Sequence, residues 1–122
     1  MHEAALAQYV IEQLDKKVQS GTLPDAIIKV YLKVGKLTAV VPDNLSFMFS
    51  VLREDTTLRN AELLIEEVPI TGCCKSCQQE FSIDEMYFFC PSCTSPEVEI
   101  LTGRELFIDG VEVNDGTNDN KN

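Results

Sequence analysis

Two short runs carry most of the chemistry in this chain. Cys74-Lys75-Ser76-Cys77 and Cys90-Pro91-Ser92-Cys93 are Cys-x-x-Cys pairs separated by 12 residues. A two-residue spacer lets both thiolates of a knuckle turn toward one ion, and two facing knuckles complete a tetrahedral sulfur site. Four soft thiolates with no demand for square geometry suit zinc, at about 2.3 Å per bond. Cys73 directly precedes the first pair and offers a three-residue spacer in place of Cys74; the symmetric knuckles favour Cys74 and leave Cys73 spare. Two local disulfides, an iron–sulfur cluster, inert buried thiols and a redox-active dithiol are the competing uses. The five cysteines are an odd number, which a fully paired disulfide framework cannot use up. A dithiol enzyme needs a nucleophilic thiol at an accessible helix start, whereas facing knuckles argue for metal. A catalytic zinc keeps an open position and takes His or carboxylate ligands, so an all-thiolate set reads as structural.

The only histidine is residue 2. A terminal histidine is ordinarily a solvated side chain, but this position offers a chelate. The Met1 α-amine, the His2 backbone nitrogen and the His2 imidazole can close two fused rings around one ion. Glu3 adds a backbone nitrogen or a carboxylate. Planar, nitrogen-rich donors favour Ni(II) or Cu(II) over zinc. With its sole histidine at the terminus, the chain holds no Ser/His/Asp or Cys/His nucleophilic set and is not expected to be an enzyme.

These residues need elements to position them. The 122 residues suffice for one domain with a small appendage. Leu6, Val10, Leu14 and Val18 recur every four residues, an amphipathic helix from about Ala4 to Ser20 that Gly21 can stop. Ile28, Val30, Leu32 and Val34 alternate with Lys29, Tyr31 and Lys33, a half-buried strand ending at Gly35. Pro42-Asp43-Asn44 opens a second helix, capped by Asp43 or Asn44, with Leu45, Met48, Phe49 and Leu52 facing the core. Strand spacing returns at Asn60–Ile70. After the cysteine-rich segment, Glu97–Val113 reads as a last strand region with a bulge or bend at Gly103. Phe81, Ile83, Met86, Phe88 and Phe89 are placed to form a small hairpin over the cysteine site. The tail 114–122 is polar and reads as disordered.

The resulting class is α+β: two helices on a three-stranded sheet with an inserted four-cysteine, zinc-ribbon-like subdomain. Residues 1–70 plus 97–113 form the main domain and 71–96 the insertion. An insertion this small cannot bury enough apolar surface alone, so metal supplies its folding energy.

Charge narrows the partners. Twenty acidic against ten basic side chains leave a net charge of −10, which repels phosphate backbones and anionic lipid. Nucleic acid and membrane are therefore not expected as partners. No secretory leader or spanning run is visible, and unpaired cysteines fit a reducing compartment, so a cytoplasmic location is expected.

Met1-His2-Glu3, the two knuckles and the closing Gly103-Arg104-Glu105-Leu106 together resemble the HypA/HybF family of hydrogenase maturation factors. The resemblance spans about residues 1–113. It implies a nickel metallochaperone that carries Ni2+ as transient cargo and Zn2+ as a structural ion. The implied partners are the GTPase HypB and a NiFe-hydrogenase large subunit precursor, with urease maturation proteins as further candidates. By resemblance Met1 (α-amine), His2 and Glu3 bind nickel, and Cys74, Cys77, Cys90 and Cys93 bind zinc. Some members add an acidic residue between the first strand and second helix; Asp43 lies near that place, and helix capping explains it equally well. Others add a histidine from the zinc domain, which this chain lacks. Monomer and homodimer are both compatible with the pattern. The alternative to the metallochaperone is a zinc-ribbon adaptor that binds protein and has no nickel role.

Overall fold

The computed structural model describes residues 2–84 and 88–114. Helix α1 (Glu3–Gln19) buries Leu6, Ala7, Val10, Ile11 and Leu14, the stripe its period dictates. Lys16 and Lys17 lie in its last turn, where cations suit the negative end of the helix dipole. Strand β1 (Ile27–Gly35) turns Val30, Leu32 and Val34 inward. A 3-10 turn (Lys36–Thr38) and a left-handed Ala39 (φ 62°) lead into helix α2 (Pro42–Leu52), which buries Leu45 and Phe49. Strands β2 (Glu62–Val68), β3 (Thr71–Cys74), β4 (Glu80–Ser82), β5 (Val98–Thr102) and β6 (Leu106–Val113) follow.

The strands make two three-stranded sheets, ordered β2-β1-β6 and β4-β3-β5. In the first, β1 pairs parallel with β2 and antiparallel with β6. Parallel pairing requires a crossover, and α2 supplies it. Both helices join the inward side chains of β1 in one core that includes Phe49, Leu58 and Ala61. Tyr31 lies on the other, solvent-facing side of β1. Lys29 pairs with Glu112 at 4.0 Å and Lys33 with Glu66 at 3.9 Å. Pairs this exposed contribute about 0–1 kcal/mol each. Among the described residues, no helix is long and apolar enough to cross a membrane.

Two expectations are corrected here. Glu97–Val113 is not one strand region. Gly103, at φ +121°, breaks it, so that β5 pairs with β3 in the second sheet while β6 pairs with β1 in the first. By strand pairing the second sheet runs from Thr71 to Thr102. The second helix is also not capped by its own polar residues. Val41 occupies the N-cap, Pro42 opens the first turn and Asp43 follows within it, with no side-chain cap from within the helix.

Two chain crossings join the sheets, at Pro69-Ile70 and at Gly103-Arg104-Glu105. The second of these crossings is fastened to the end of β1 by backbone hydrogen bonds. Gly35 N–H donates to the Glu105 carbonyl (2.7 Å) and Leu37 N–H to the Gly103 carbonyl (2.8 Å). The Glu105 carboxylate accepts from Gly103 N–H at 2.8 Å. A Cβ on Gly35 would overlap the Gly103 carbonyl, so only glycine permits this approach.

Candidate metal centres

The two knuckles repeat one local geometry. Gln78 N–H donates to the Cys74 carbonyl and Thr94 N–H to the Cys90 carbonyl, each at 2.8 Å. Cys74 N–H donates to the Gln79 carbonyl and Cys90 N–H to the Ser95 carbonyl, each at 2.9 Å. Gln78 (φ 68°) and Thr94 (φ 60°) are both left-handed, which turns the chain sharply after the second cysteine of each pair. Ser76 and Ser95 hydroxyls meet at 3.1 Å across the gap between the knuckles.

This folding gathers Cys74, Cys77, Cys90 and Cys93 so that their sulfurs all lie within 4.8 Å of one another. Cys74 Sγ is 3.5 Å from Cys93 Sγ, and Cys77 Sγ is 3.6 Å from Cys90 Sγ. A tetrahedron with bonds of about 2.3 Å has edges of about 3.8 Å, so the set fits a zinc-sized ion. Cys74 and Cys90 are buried, while Cys77 and Cys93 reach the surface. Backbone amides point at the buried sulfurs: Cys77 N–H to Cys74 Sγ (3.4 Å) and Ser92 N–H to Cys90 Sγ (3.3 Å).

Those amides divide the four thiols into two kinds. The Cys77 amide draws the Cys74 pKa down to about 6, against the opposing effect of burial. At Cys90, burial that would raise the pKa is outweighed by the amides of Cys93 and Ser92, and the pKa is lowered. Cys77 receives the Gln79 amide, yet the Cys90 side chain and desolvation push it up to about 12. At Cys93 the Ser95 amide is likewise overcome by the Cys74 side chain and desolvation, and the pKa is raised. The amides thus favour the thiolate form at each buried sulfur over its surface partner, a cradle that a divalent cation can enter by displacing the remaining protons.

Cys73 stays outside the cluster. It precedes Cys74 on β3, so strand alternation points it to the opposite face. Desolvation and the carboxylates of Glu80 and Glu99, its cross-strand partners, raise its pKa and keep it a thiol. Of the residues expected to cover the site, Ile83 is buried and Phe89 is 56% exposed. Met86 lies outside the described residues.

At the amino end, Met1 lies outside the described residues. His2 is the N-cap of α1 in extended conformation (φ −82°, ψ 123°); its carbonyl accepts the Leu6 amide at 3.1 Å. Its imidazole makes no cap hydrogen bond and the residue is exposed. Glu3 turns back on α2: its Oε2 accepts the Val41 N–H at 2.9 Å. That bond holds the carboxyl below its ordinary pKa. The contact therefore stabilises the fold above the unfolded-state pKa of Glu3 and is lost as pH falls through the lowered value. A shallow recess beside it is lined by His2, Glu3, Ala4, Asn44, Phe47 and Met48. Asp43 is exposed in the first turn of α2. The Glu3–Val41 contact left no local trace in the sequence, because its partners are 38 residues apart.

The model of the family described as hydrogenase/urease nickel incorporation, metallochaperone, HypA matches residues 1–113. A hydrogenase maturation factor HypA of Desulfosudis oleivorans is 44% identical over 113 residues, covering 93% of this chain and 98% of the relative. A guanidine hydrolase-activating protein A of Synechocystis is 37% identical, covering 92% of this chain and 94% of the relative. In fold, the chain is similar to the solution structure of the Ni metallochaperone HypA from Helicobacter pylori. That likeness has a TM-score of 0.63 at 23% identity, covering 93% of this chain and 97% of the other.

Proposed function

The chain belongs to the HypA family of hydrogenase and urease nickel-incorporation factors, and from that premise we propose that it carries Ni(II) at its amino end. The nickel passes, with the GTPase HypB, to a NiFe-hydrogenase large subunit precursor. Cys74, Cys77, Cys90 and Cys93 hold a resident zinc, whose four thiolate bonds fold the second sheet. The protein is a carrier and not an enzyme, and it works in the cytoplasm as a monomer or homodimer.

The observation that carries the nickel reading is His2 at the N-cap of α1. The first amides of a helix have no intrahelical acceptor. Nickel can therefore replace the amide protons of His2 and Glu3 without breaking a helix hydrogen bond. The Met1 amine and the His2 imidazole complete three or four nitrogen donors, and Asp43 is the carboxylate available from α2. An exposed chain end binds through chelation yet lets a partner approach the ion. Because amine, amide and imidazole must all shed protons to bind, acidification releases the cargo.

Calorimetric titration of tag-free protein with Ni(II), read beside native mass spectrometry, tests this. Wild type should bind one equivalent. His2→Ala should lose more than the ~10–100-fold that removal of a second-shell partner costs a metal site. Unchanged affinity in His2→Ala sinks the terminal site and leaves the adaptor reading.

A second reading of the recipient rests on the relative named as a guanidine hydrolase-activating protein. On that reading the same carrier supplies a different enzyme, or urease through its maturation proteins. Pull-down of the bound recipient from cells grown with nickel separates the cases. The net charge of −10 makes such associations sensitive to salt.

A further inference from the structure

Resting on the nickel reading, we propose that the Glu3 carboxylate is a positioning group, the cap of α2 that fastens the metal-binding arm, and not a ligand to the ion. Helix α2 needs a cap from elsewhere. Its N-cap residue, Val41, has no side-chain oxygen, and Pro42 has no N–H to satisfy. The Glu3 Oε2 accepts the Val41 amide at 2.9 Å and brings a negative charge to the positive end of the helix.

The anchor is itself fixed. Thr38 Oγ1 donates to the Gly35 carbonyl (2.7 Å) and accepts the Val40 amide (3.3 Å). Leu37 N–H holds the Gly103 carbonyl. Val41 therefore inherits its position from the end of β1 and the junction between the sheets. Through Glu3, so does the first turn of α1, and with it His2. A carboxylate that swung onto nickel would uncap α2 and release the arm from this frame. The arm stays docked only if the ion takes the Glu3 backbone nitrogen, or Asp43, as its remaining donor.

Hydrogen exchange of the Val41 amide and the ligand-field spectrum of bound Ni(II) test the assignment in the full chain. Val41 N–H should be protected in the nickel-free protein and equally protected after one equivalent of Ni(II). Glu3→Ala should abolish that protection and weaken nickel several-fold while leaving the spectrum unchanged. Glu3→Gln, whose side-chain oxygen still accepts a hydrogen bond, should restore most of both. Loss of Val41 protection on nickel loading, or a spectrum altered in Glu3→Gln, would overturn the proposal and make the carboxylate a ligand. If wild type takes up no nickel, the functional reading fails. Exchange of Val41 in nickel-free Glu3→Ala still decides the cap, because unchanged protection there rejects it.

Discussion

Cys74→Ala is expected to abolish zinc retention and unfold the second sheet while the first sheet keeps its native spectrum. Cys74 is fully buried, ends β3, and is the sulfur toward which the Cys77 amide points. Its loss opens the tetrahedron, and structural zinc in small domains is worth about 10–16 kcal/mol of folding. The second sheet has only short strands and little apolar burial to set against that deficit; among the described residues Ile70, just before β3, and Ile83, just after β4, are the buried aliphatics beside it. Metal analysis with two-dimensional NMR reads both halves of the expectation. Cys73→Ala is the control: it should keep one equivalent of zinc, because its side chain faces away from the cluster. A Cys74→Ala protein with full zinc content would reject the assignment of these four ligands.

The same site predicts a pH dependence. At neutral pH Cys74, with its pKa near 6, is ionised, whereas Cys77, near 12, and Cys93, also raised, carry protons. Zinc must displace those two protons. Its apparent affinity should therefore rise steeply with pH, by about two decades or more per pH unit between pH 7 and pH 9. Competition with a chelator of known pH behaviour measures the slope.

The second large effect belongs to Gly35→Ala. The added methyl would meet the Gly103 carbonyl and the Arg104 amide, and neither can yield as a flexible side chain would. Both belong to the Gly103–Arg104 peptide, whose carbonyl is held by Leu37 N–H and whose flanking Glu105 carbonyl is held by Gly35 N–H. Overpacking against fixed backbone should cost about 3 kcal/mol or more, a fall of about 10–15 °C in Tm. Gly110→Ala provides the contrast, since nothing lies within 4 Å of its added Cβ. That variant should melt within a few degrees of wild type. Equal melting temperatures for the two variants would contradict the close approach at Gly35.

Local periodicity told most of what was legible beforehand. The stripe Leu6, Val10, Leu14 and the alternation of Val30, Leu32 and Val34 reported burial because each depends on neighbours a few residues away. The knuckles were legible for the same reason: two cysteines and a turn form a complete instruction. What failed to show was anything that joins distant segments. Alternation continues across Gly103 from Glu97 to Val113, and nothing in it reveals that the two parts pair in different sheets. Asp43 and Asn44 look like caps by composition, yet the chain enters α2 at Val41 and the cap arrives from Glu3, at the far end of another helix. The short β3 and β4 lay hidden because cysteines and glutamates there answer to the metal site and solvent rather than to a core.

The pairing of Thr71 with Thr102, whose hydroxyls meet at 2.7 Å, has an evolutionary consequence. The first and last residues of the second sheet stand side by side, so to the first sheet the whole span from 71 to 102 is no wider than a hairpin turn. A module plugged in at such a neck can be lengthened, shortened or exchanged without shifting the strand register of its host. The sulfur-bearing module can therefore be revised while the first sheet and its pair of helices are kept intact.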